Sequence, residues 1–176
     1  MVQYRRNRVE GASYYFTVNL NDRSKDYLTR YIHDLRHSFR VCRASMPFTI
    51  DVTVILPEHL HCIWTLPDDG SNYSARWRKV KTTFTQRLIQ QNINISKDRH
   101  GQYNLWQRRY WERTIRNDKE FSAYVDYIHY NPVKHGYVSK VQDWKYSSFH
   151  RFVREGKLSR DWGGENLTNT LGLVGE

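Results

Sequence analysis

The sequence predicts an α+β fold in which helices pack on an antiparallel sheet. Apolar and polar residues alternate over 13–20, 48–56 and 59–66, as they do in half-buried strands. Apolar residues recur at helical spacing between and after these segments, and a very short turn joins the second and third of them. The predicted order is strand, helix, strand, strand, helix, strand, helix, which is typical of an α+β sandwich.

The first half of the chain is predicted to contain one amphipathic helix and a hairpin. The helix is expected over 26–43, because apolar side chains recur there at Leu28, Tyr31, Ile32, Leu35 and Phe39. Pro57 and Glu58 form the turn between the second and third strands, which should therefore run antiparallel. The third strand is expected to be central in the sheet.

The second half is predicted from caps and apolar stripes. A second helix, for which Ser74 could serve as N-cap, carries the stripe Trp77, Val80, Phe84 and Leu88. A loop is predicted over 91–104, and a fourth strand or a pair of strands is predicted over 105–115. A third helix starts at Asn117 or Asp118 and should end at Pro132, because proline disfavours the helical conformation of the preceding residue. A short last helix is expected from Ser147 or Ser148.

The composition predicts one basic domain over 1–155 and a polar tail over 156–176. The 176-residue chain has 28 Lys and Arg against 18 Asp and Glu, a net charge of +10. This balance favours polyanionic partners, because cations release counterions from phosphates, although a solvated basic face explains it equally well. Cys42 and Cys62 form no CxxC pair, which fits a reducing, cytoplasmic setting. No apolar run predicts a signal peptide or a membrane partner.

Two histidines, His59 and His61, flank Leu60 in the third predicted strand. Side chains alternate in a strand, so both imidazoles should point to one face and could bind one metal ion. An HxH motif alone is more often a pair of ordinary histidines. Its position after a tight turn on a central strand favours the metal site, and we expect both rings at a site edge rather than deep in the core.

Tyr127 and Asn131 lie one turn apart on the third predicted helix, beside its apolar stripe. From this flank the tyrosine could reach the sheet, and the Asn131 amide oxygen could complete a site for Mg²⁺ or Mn²⁺. Tyr124 falls on the stripe and is better explained as core. Tyr130 has no polar neighbour one turn on, other than Lys134 beyond the proline. Spacing therefore selects Tyr127, although an ordinary amphipathic tyrosine is the alternative.

Basic residues interleaved with aromatic residues predict contacts with unpaired nucleic acid, in which charges hold phosphates and rings stack on bases. The alternative is a solvated face with core aromatics, which we favour for Trp77 and for one of Trp106 and Trp111. The candidate DNA-binding residues are Arg5, Arg6, Arg78, Lys79, Lys81, Arg108, Arg109 and Arg116.

Several segments, in order, resemble the REP-associated tyrosine transposases, a family of single-tyrosine HUH transposases. They are LPEHLHCIW at 56–64, WRKVK at 77–81, LWQRRYWE at 105–112 with IRN at 115–117, and YIHYNPVKHG at 127–136. The resemblance runs from YRR at 4–6 to SSFH at 147–150. The loop before Leu105 and the tail after Gly156 match no segment that we can place.

The resemblance implies an HUH-endonuclease sandwich of the ferredoxin-like (RRM-like) type and a bacterial, cytoplasmic, nucleoid-associated enzyme. Such enzymes cut single-stranded DNA at the foot of palindromic hairpins, the REP elements. Carried over by motif, His59 and His61 are the metal ligands, Tyr127 is the nucleophile and Asn131 is the third ligand. A 5′-phosphotyrosine intermediate is expected, with Mg²⁺ or Mn²⁺ as cofactor, and either a monomer or a homodimer fits.

Two other functions are compatible with the sequence. The first is a protein that binds hairpin DNA without cutting it. The second is a metal-dependent phosphodiester hydrolase that uses the two histidines and a water molecule, without Tyr127. A covalent protein–DNA adduct would separate the transposase from both.

Overall fold

A central antiparallel sheet organises the molecule, and the computed structural model describes residues 9–68 and 70–163. In this part of the chain the sheet consists of β1 (Ser13–Asn19), β2 (Thr49–Ile55), β3 (His59–Thr65) and β4 (Trp111–Thr114). The strands lie in the order β2-β3-β1-β4, and each neighbouring pair is antiparallel. The predicted antiparallel sheet with a central third strand is thus confirmed.

The helices lie on both faces of this sheet. They are α1 (Tyr27–Arg30), α2 (Ile32–Ser45), α3 (Tyr73–Gln90), α4 (Asp118–Lys134) and α5 (Phe149–Arg154), with a 3-10 turn at Val141–Asp143. Because α2 connects β1 to β2 and α3 connects β3 to β4, the first part of the fold has the βαββαβ order of ferredoxin-like domains. The predicted α+β sandwich is therefore confirmed.

The two faces of the sheet differ in what covers them. On the face covered by α2 and α3, called the aromatic face below, Trp64 of β3 stacks on Trp77 of α3 with ring centroids 4.1 Å apart. On the opposite face, called the α4 face, Tyr15 of β1 stacks on Tyr124 of α4 at 4.3 Å. Alternation along β3 places Leu60 in the core of the aromatic face, so its neighbours His59 and His61 lie on the α4 face.

The third predicted helix does not end at Pro132, and this expectation was wrong. Helix α4 continues to Lys134, because a proline in the last turn removes only one helical hydrogen bond. The end is set by Gly136, which has a φ of 72°. Its N–H donates to the Val133 carbonyl, and the Tyr137 N–H donates to the Pro132 carbonyl, both at 2.9 Å, which is a Schellman motif.

Two smaller expectations also require correction. The helix predicted over 26–43 is interrupted at Tyr31, where ψ is 39°, and α1 is instead held by a hydrogen bond from the Leu28 N–H to the Pro57 carbonyl. The N-cap of α3 is Asn72, whose side chain accepts from the Ala75 N–H, so Ser74 lies inside the helix. Neither change moves the strands.

The limits of the described region bear on the predictions for the N-terminal arginines and for the C-terminal tail. Arg5, Arg6 and the tail residues 164–176 lie outside the described residues. The beginning of the predicted tail is described, and the Trp162 ring lies 6.1 Å from the Phe149 ring of α5. In the described ranges, no helix combines the length and the apolar character needed to span a membrane.

Candidate active site

The start of β3 brings two imidazoles together on the α4 face, as the alternation of the strand predicts. The ring centroids of His59 and His61 are 4.9 Å apart, and the His61 ring lies 5.5 Å from that of Tyr127 on α4. One histidine pair and one tyrosine from distant parts of the sequence therefore form a single cluster. Both histidines are fully buried, so the expectation of rings at a site edge was wrong.

The orientation of His59 is fixed by the residue before it. Its Nδ1 atom lies 2.8 Å from the Glu58 carboxylate, which also accepts hydrogen bonds from the Tyr137 hydroxyl at 2.9 Å and from Arg23 at 3.2 Å. Burial raises the pKa of Glu58, but His59 and Tyr137 outweigh this effect and hold that pKa below its usual value. The carboxylate thus binds Nδ1, and His59 Nε2 has no hydrogen-bond partner among the described residues.

His61 is oriented by β1. Its Nδ1 atom lies 2.7 Å from the Tyr15 hydroxyl and 3.0 Å from Thr17 Oγ1. These two contacts occupy Nδ1, so a role for His61 as a metal ligand would use Nε2. Two side chains of the neighbouring strand β1 therefore hold the ring in place.

The electrostatics of the cluster keep both imidazoles neutral at neutral pH. Burial lowers the pKa of His59, although the Glu58 carboxylate opposes the shift. Burial lowers the pKa of His61 much further, and the neighbouring His59 adds to the effect. Neutral imidazole is the form that binds metal ions, so the fold prepares both residues for that role.

The Tyr127 side chain packs against the Lys134 side chain of the same helix. The Lys134 ammonium donates a hydrogen bond to the Tyr127 hydroxyl at 3.1 Å and lies 4.7 Å from the centre of its ring. Tyr127 is only 2% exposed, so it lies deeper than the flank position that its spacing predicts. Lys134 was missed as a partner of Tyr127 because the spacing of seven residues, two helical turns, was not considered.

Asn131 supplies a third polar group to the cluster. Its side chain is fully buried, and neither amide atom has a hydrogen-bond partner of normal geometry among the described residues. The amide nevertheless opposes the lowering of the His61 pKa, so it faces that imidazole. A buried amide without a partner is costly in a core, and it is explained if Asn131 faces a ligand.

The donor atoms of this cluster fit a divalent metal ion. Two imidazole nitrogens and one amide oxygen form an incomplete set for Mg²⁺ or Mn²⁺ and leave positions for water or phosphate oxygens. Over 9–68 and 70–163 there is no group of three or more His, Cys, Asp or Glu side chains that could hold a metal. A metal at this cluster would therefore depend on Asn131 or on the substrate for further ligands.

An exposed tryptophan stands next to the cluster. Trp111 of β4 pairs directly with Thr17 of β1, whose hydroxyl contacts His61. Directly opposed residues share a face of the sheet, so the Trp111 indole lies on the α4 face. Half of this side chain is exposed, whereas Trp77 is buried in the core and Trp106 packs on Phe84, as expected for one of the two later tryptophans.

The predicted DNA-binding residues of α3 lie away from this cluster. Arg78, Lys79 and Lys81 belong to the helix that covers the aromatic face. Lys79 donates to the Ser45 hydroxyl at 2.6 Å, and Lys81 donates to the Gln107 carbonyl at 3.0 Å, while Arg78 is exposed. The structure does not bring these cations to Tyr127.

The remaining predicted contacts lie near β4. Arg108 and Arg109 are exposed in the segment that leads into this strand. Arg116 is also exposed, but its side chain and backbone N–H both interact with the Glu120 carboxylate of α4. Arg108 and Arg109 therefore remain candidates for contacts with DNA beside Trp111.

Known proteins that resemble this chain do so over nearly its whole length, although no protein-family model matches it. The REP-associated tyrosine transposase of Escherichia coli K12 is 44% identical over 165 residues, which cover 94% of this chain and 93% of that protein. A Haemophilus influenzae protein described with the same family name is 43% identical over 166 residues, 93% of this chain and 94% of its own. A solved structure of the REP-associated tyrosine transposase bound to a REP hairpin matches with a TM-score of 0.82 and 44% identity, covering 94% of this chain and 93% of that one.

Proposed function

This chain belongs to the REP-associated tyrosine transposases, enzymes that act on DNA, and from this premise we propose that Tyr127 cuts single-stranded DNA beside REP-type hairpins. The observation that carries the proposal is the juxtaposition of the Tyr127 ring with the His61 ring, 5.5 Å apart on one face of the sheet. The hairpin as substrate is supported by the relative that was solved with a REP hairpin bound.

Tyr127 is the nucleophile in this proposal. Its phenol oxygen attacks the scissile phosphorus and gives up its proton, while the bond from phosphorus to the 3′-oxygen breaks and that oxygen leaves as a hydroxyl. The product is a 5′-phosphotyrosine. One phosphodiester replaces another, so a 3′-hydroxyl from another strand can reverse the reaction without a nucleotide cofactor.

Lys134 assists the phenol oxygen. An unassisted phenol is mostly protonated at neutral pH, because its pKa is near ~10. The Lys134 ammonium, 3.1 Å from the hydroxyl, places a positive charge where negative charge develops when the proton leaves. The same charge stabilises the phenolate when the strand is rejoined.

The histidine pair and Asn131 would hold a divalent metal ion, Mg²⁺ or Mn²⁺. When bound, such an ion supplies polarisation of the scissile phosphate and stabilisation of its added charge. Glu58 holds His59, and Tyr15 with Thr17 holds His61, so the two rings are oriented before any ligand arrives. The buried position of both rings also excludes water from the histidine side.

The surface beside the cluster suits an unpaired base. Trp111 offers an exposed indole on the face that carries His61, and Arg108 and Arg109 precede it in the chain. Stacking on an aromatic ring requires a base that is not paired in a duplex, so a single-stranded flank is preferred there. We place this activity in the bacterial cytoplasm, on DNA of the nucleoid.

A denaturing gel with labelled hairpin DNA and Mg²⁺ tests the proposal. The wild-type protein should form a covalent adduct, whereas Tyr127→Phe should form none and should bind DNA nearly as well. Tyr124→Phe, on the same helix, is the matched control and should form the adduct. Perfect duplex of the same sequence should give little adduct.

The same gel separates the other two functions. A hairpin-binding protein would bind the DNA and yield neither adduct nor cleaved strand. A hydrolase would cleave the DNA without an adduct, and Tyr127→Phe would cleave it at the wild-type rate.

A further inference from the structure

A second cavity, separate from the active site, opens along the outer edge of β2. It has a volume of about 490 Å³, with α2 as one wall and the segment 145–151 as the other. Cys62 and Trp64, on the aromatic face, form part of its floor. We call it the basic cleft, after the cations that line it: Arg36, Arg40, Arg43, Lys145 and Arg151.

The cations of the basic cleft come from both walls. Arg36, Arg40 and Arg43 follow one another at four and three residues on α2, which places them on one stripe of the helix. Lys145 and Arg151 face this stripe across the cleft. The described side chains that line the cleft include no carboxylate, and none of the five cations forms an ion pair within the described ranges. Arg43 and Arg151 donate to the backbone carbonyls of Phe48 and Asp51 beside the cleft, so it is chiefly the charge of Arg36, Arg40 and Lys145 that favours an anionic occupant.

Aromatic rings accompany these charges. Phe39 of α2 and Tyr146 of the other wall are both partly exposed and line the cleft. The Lys145 ammonium lies 4.8 Å from the centre of the Tyr146 ring, so charge and ring are adjacent. Cations beside partly exposed rings are what a single nucleic-acid strand requires, since phosphates bind the charges and bases stack on the rings.

We propose that the basic cleft binds a single-stranded segment of nucleic acid, with phosphates on Arg36 and Arg40 and a base against Tyr146. The active-site cluster lies on the α4 face, whereas the floor of the cleft belongs to the aromatic face. A strand held in both places would pass around the β2 edge on the outside of the segment 145–151, whose backbone is hydrogen-bonded to Thr53 and Ile55 of β2. That the strand is the flank of a cleaved hairpin rests on the proposed function, but binding in the cleft does not.

Binding of labelled oligothymidine, of roughly ten nucleotides, measures the cleft without a hairpin. Arg36→Gln/Arg40→Gln should weaken binding by about tenfold at moderate salt, because two phosphate contacts are lost. Arg30→Gln/Lys119→Gln removes the same charge from exposed positions elsewhere, on α1 and α4, and should weaken binding less than about twofold. Equal losses in the two variants would overturn the proposal, because generic electrostatics would then suffice.

Tyr146→Leu tests the stacking contact while it keeps the charges. It should weaken oligothymidine binding by about tenfold, and photo-crosslinks from the wild type should map to the peptide that contains Tyr146. Unchanged binding in this variant, or crosslinks confined to the α4 face, would contradict the proposal. Thermal unfolding of each variant checks that it is folded, and Tyr146→Phe, which keeps the ring, should bind as the wild type does.

The adduct gel distinguishes this inference from the proposed function. If the cleft substitutions weaken oligothymidine binding but the wild type forms no adduct, the proposed function is contradicted and the cleft is still a strand-binding site. If the wild type and Arg36→Gln/Arg40→Gln bind oligothymidine equally well while the wild type still forms the adduct, the proposed cleft is contradicted and the proposed function is not.

Discussion

Alternate residues of β3 point to opposite faces of the sheet, where they join an apolar core on one face and a polar cluster on the other. On the aromatic face, Leu60 and Trp64 join a core in which large aromatic rings stack on one another. On the α4 face, His59 and His61 are equally buried, yet the His59 ring is held by a hydrogen bond to the Glu58 carboxylate and the His61 ring by hydrogen bonds with side chains of β1. Burial is therefore the same on both faces, and only the chemistry of the buried groups differs.

This difference teaches that the candidate catalytic cluster is confined to the α4 face, although both faces have an apolar core that stabilises the fold. Buried apolar rings stabilise the fold, because burial removes apolar surface from water. Buried polar atoms without a partner, such as His59 Nε2 and the Asn131 amide, lower stability unless a ligand satisfies them. Substitutions in the apolar core should thus change unfolding, and substitutions in the polar cluster of the α4 face should change catalysis.

The largest effect is expected at the histidine pair. His59→Ala or His61→Ala should lower metal-dependent cleavage by about 10³- to 10⁴-fold, because a lost ligand removes several kcal/mol of transition-state stabilisation. His129, also fully buried and on α4, bonds the Ser148 hydroxyl instead, so His129→Ala is the matched control. Equal loss of cleavage rate in the control would show that any buried histidine matters and would break the comparison.

The next effect lies on the other face. Trp77→Ala should lower the free energy of unfolding by roughly 3–5 kcal/mol, because it deletes the ring that stacks on Trp64. Tyr127→Phe should change it by less than about 1 kcal/mol, since the ring is kept. Urea unfolding at neutral pH measures both. Similar losses from the two substitutions would mean that the Tyr127 hydroxyl stabilises the fold as much as the Trp77 ring does.

Acid should lower the free energy of unfolding, because histidines on the α4 side of the sheet are buried in their neutral form. Burial lowers the pKa of His129 to about 3 and that of His61 well below the ordinary histidine value of 6.5. Between these values and ~6.5 the unfolded chain binds more protons than the folded protein, so stability falls as pH drops. From pH ~7.5 to ~5.5 the loss should be about 1.4 kcal/mol for each residue, measured by urea unfolding without metal. His129→Gln should remove the share of His129, about 1.4 kcal/mol, and a flat profile would contradict the buried neutral state.

The smallest effect is expected at Glu58. Glu58→Gln should weaken Mn²⁺ binding by about 10- to 100-fold in calorimetry, because the carboxylate that orients His59 is lost. Glu112→Gln is the control, since Glu112 is a buried carboxylate on the aromatic face that accepts from Tyr73. Unchanged Mn²⁺ affinity in Glu58→Gln would show that His59 needs no orienting group.

Patterns local in sequence predicted most of the fold. Strands β1, β2 and β3 follow from alternation, and the antiparallel hairpin follows from the two-residue turn at Pro57 and Glu58. The end of α4 was missed, because the proline was weighed above Gly136, although His135 and Gly136 carried the usual C-terminal signal. The break at Tyr31 depends on a contact with Pro57, which no local pattern contains.

The proximity of the candidate site residues was predictable from the sequence, but their depth was not. Spacing, strand position and the resemblance to the transposases together selected His59, His61 and Tyr127, and the structure gathers them in one cluster. Their burial depends on how α4 packs across the sheet, which a single stripe of apolar residues does not specify. The partners that hold His61 come from β1, so only the strand register reveals them.

The central claim is that Tyr127 joins covalently to DNA, and mapping the adduct tests it most directly. Wild-type protein would be incubated with hairpin DNA and Mg²⁺, digested, and sequenced by mass spectrometry. The account predicts a nucleotide attached through a 5′-phosphate to the phenol oxygen of Tyr127. Attachment to Tyr124 or Tyr130, or cleaved DNA with no modified tyrosine, would contradict it.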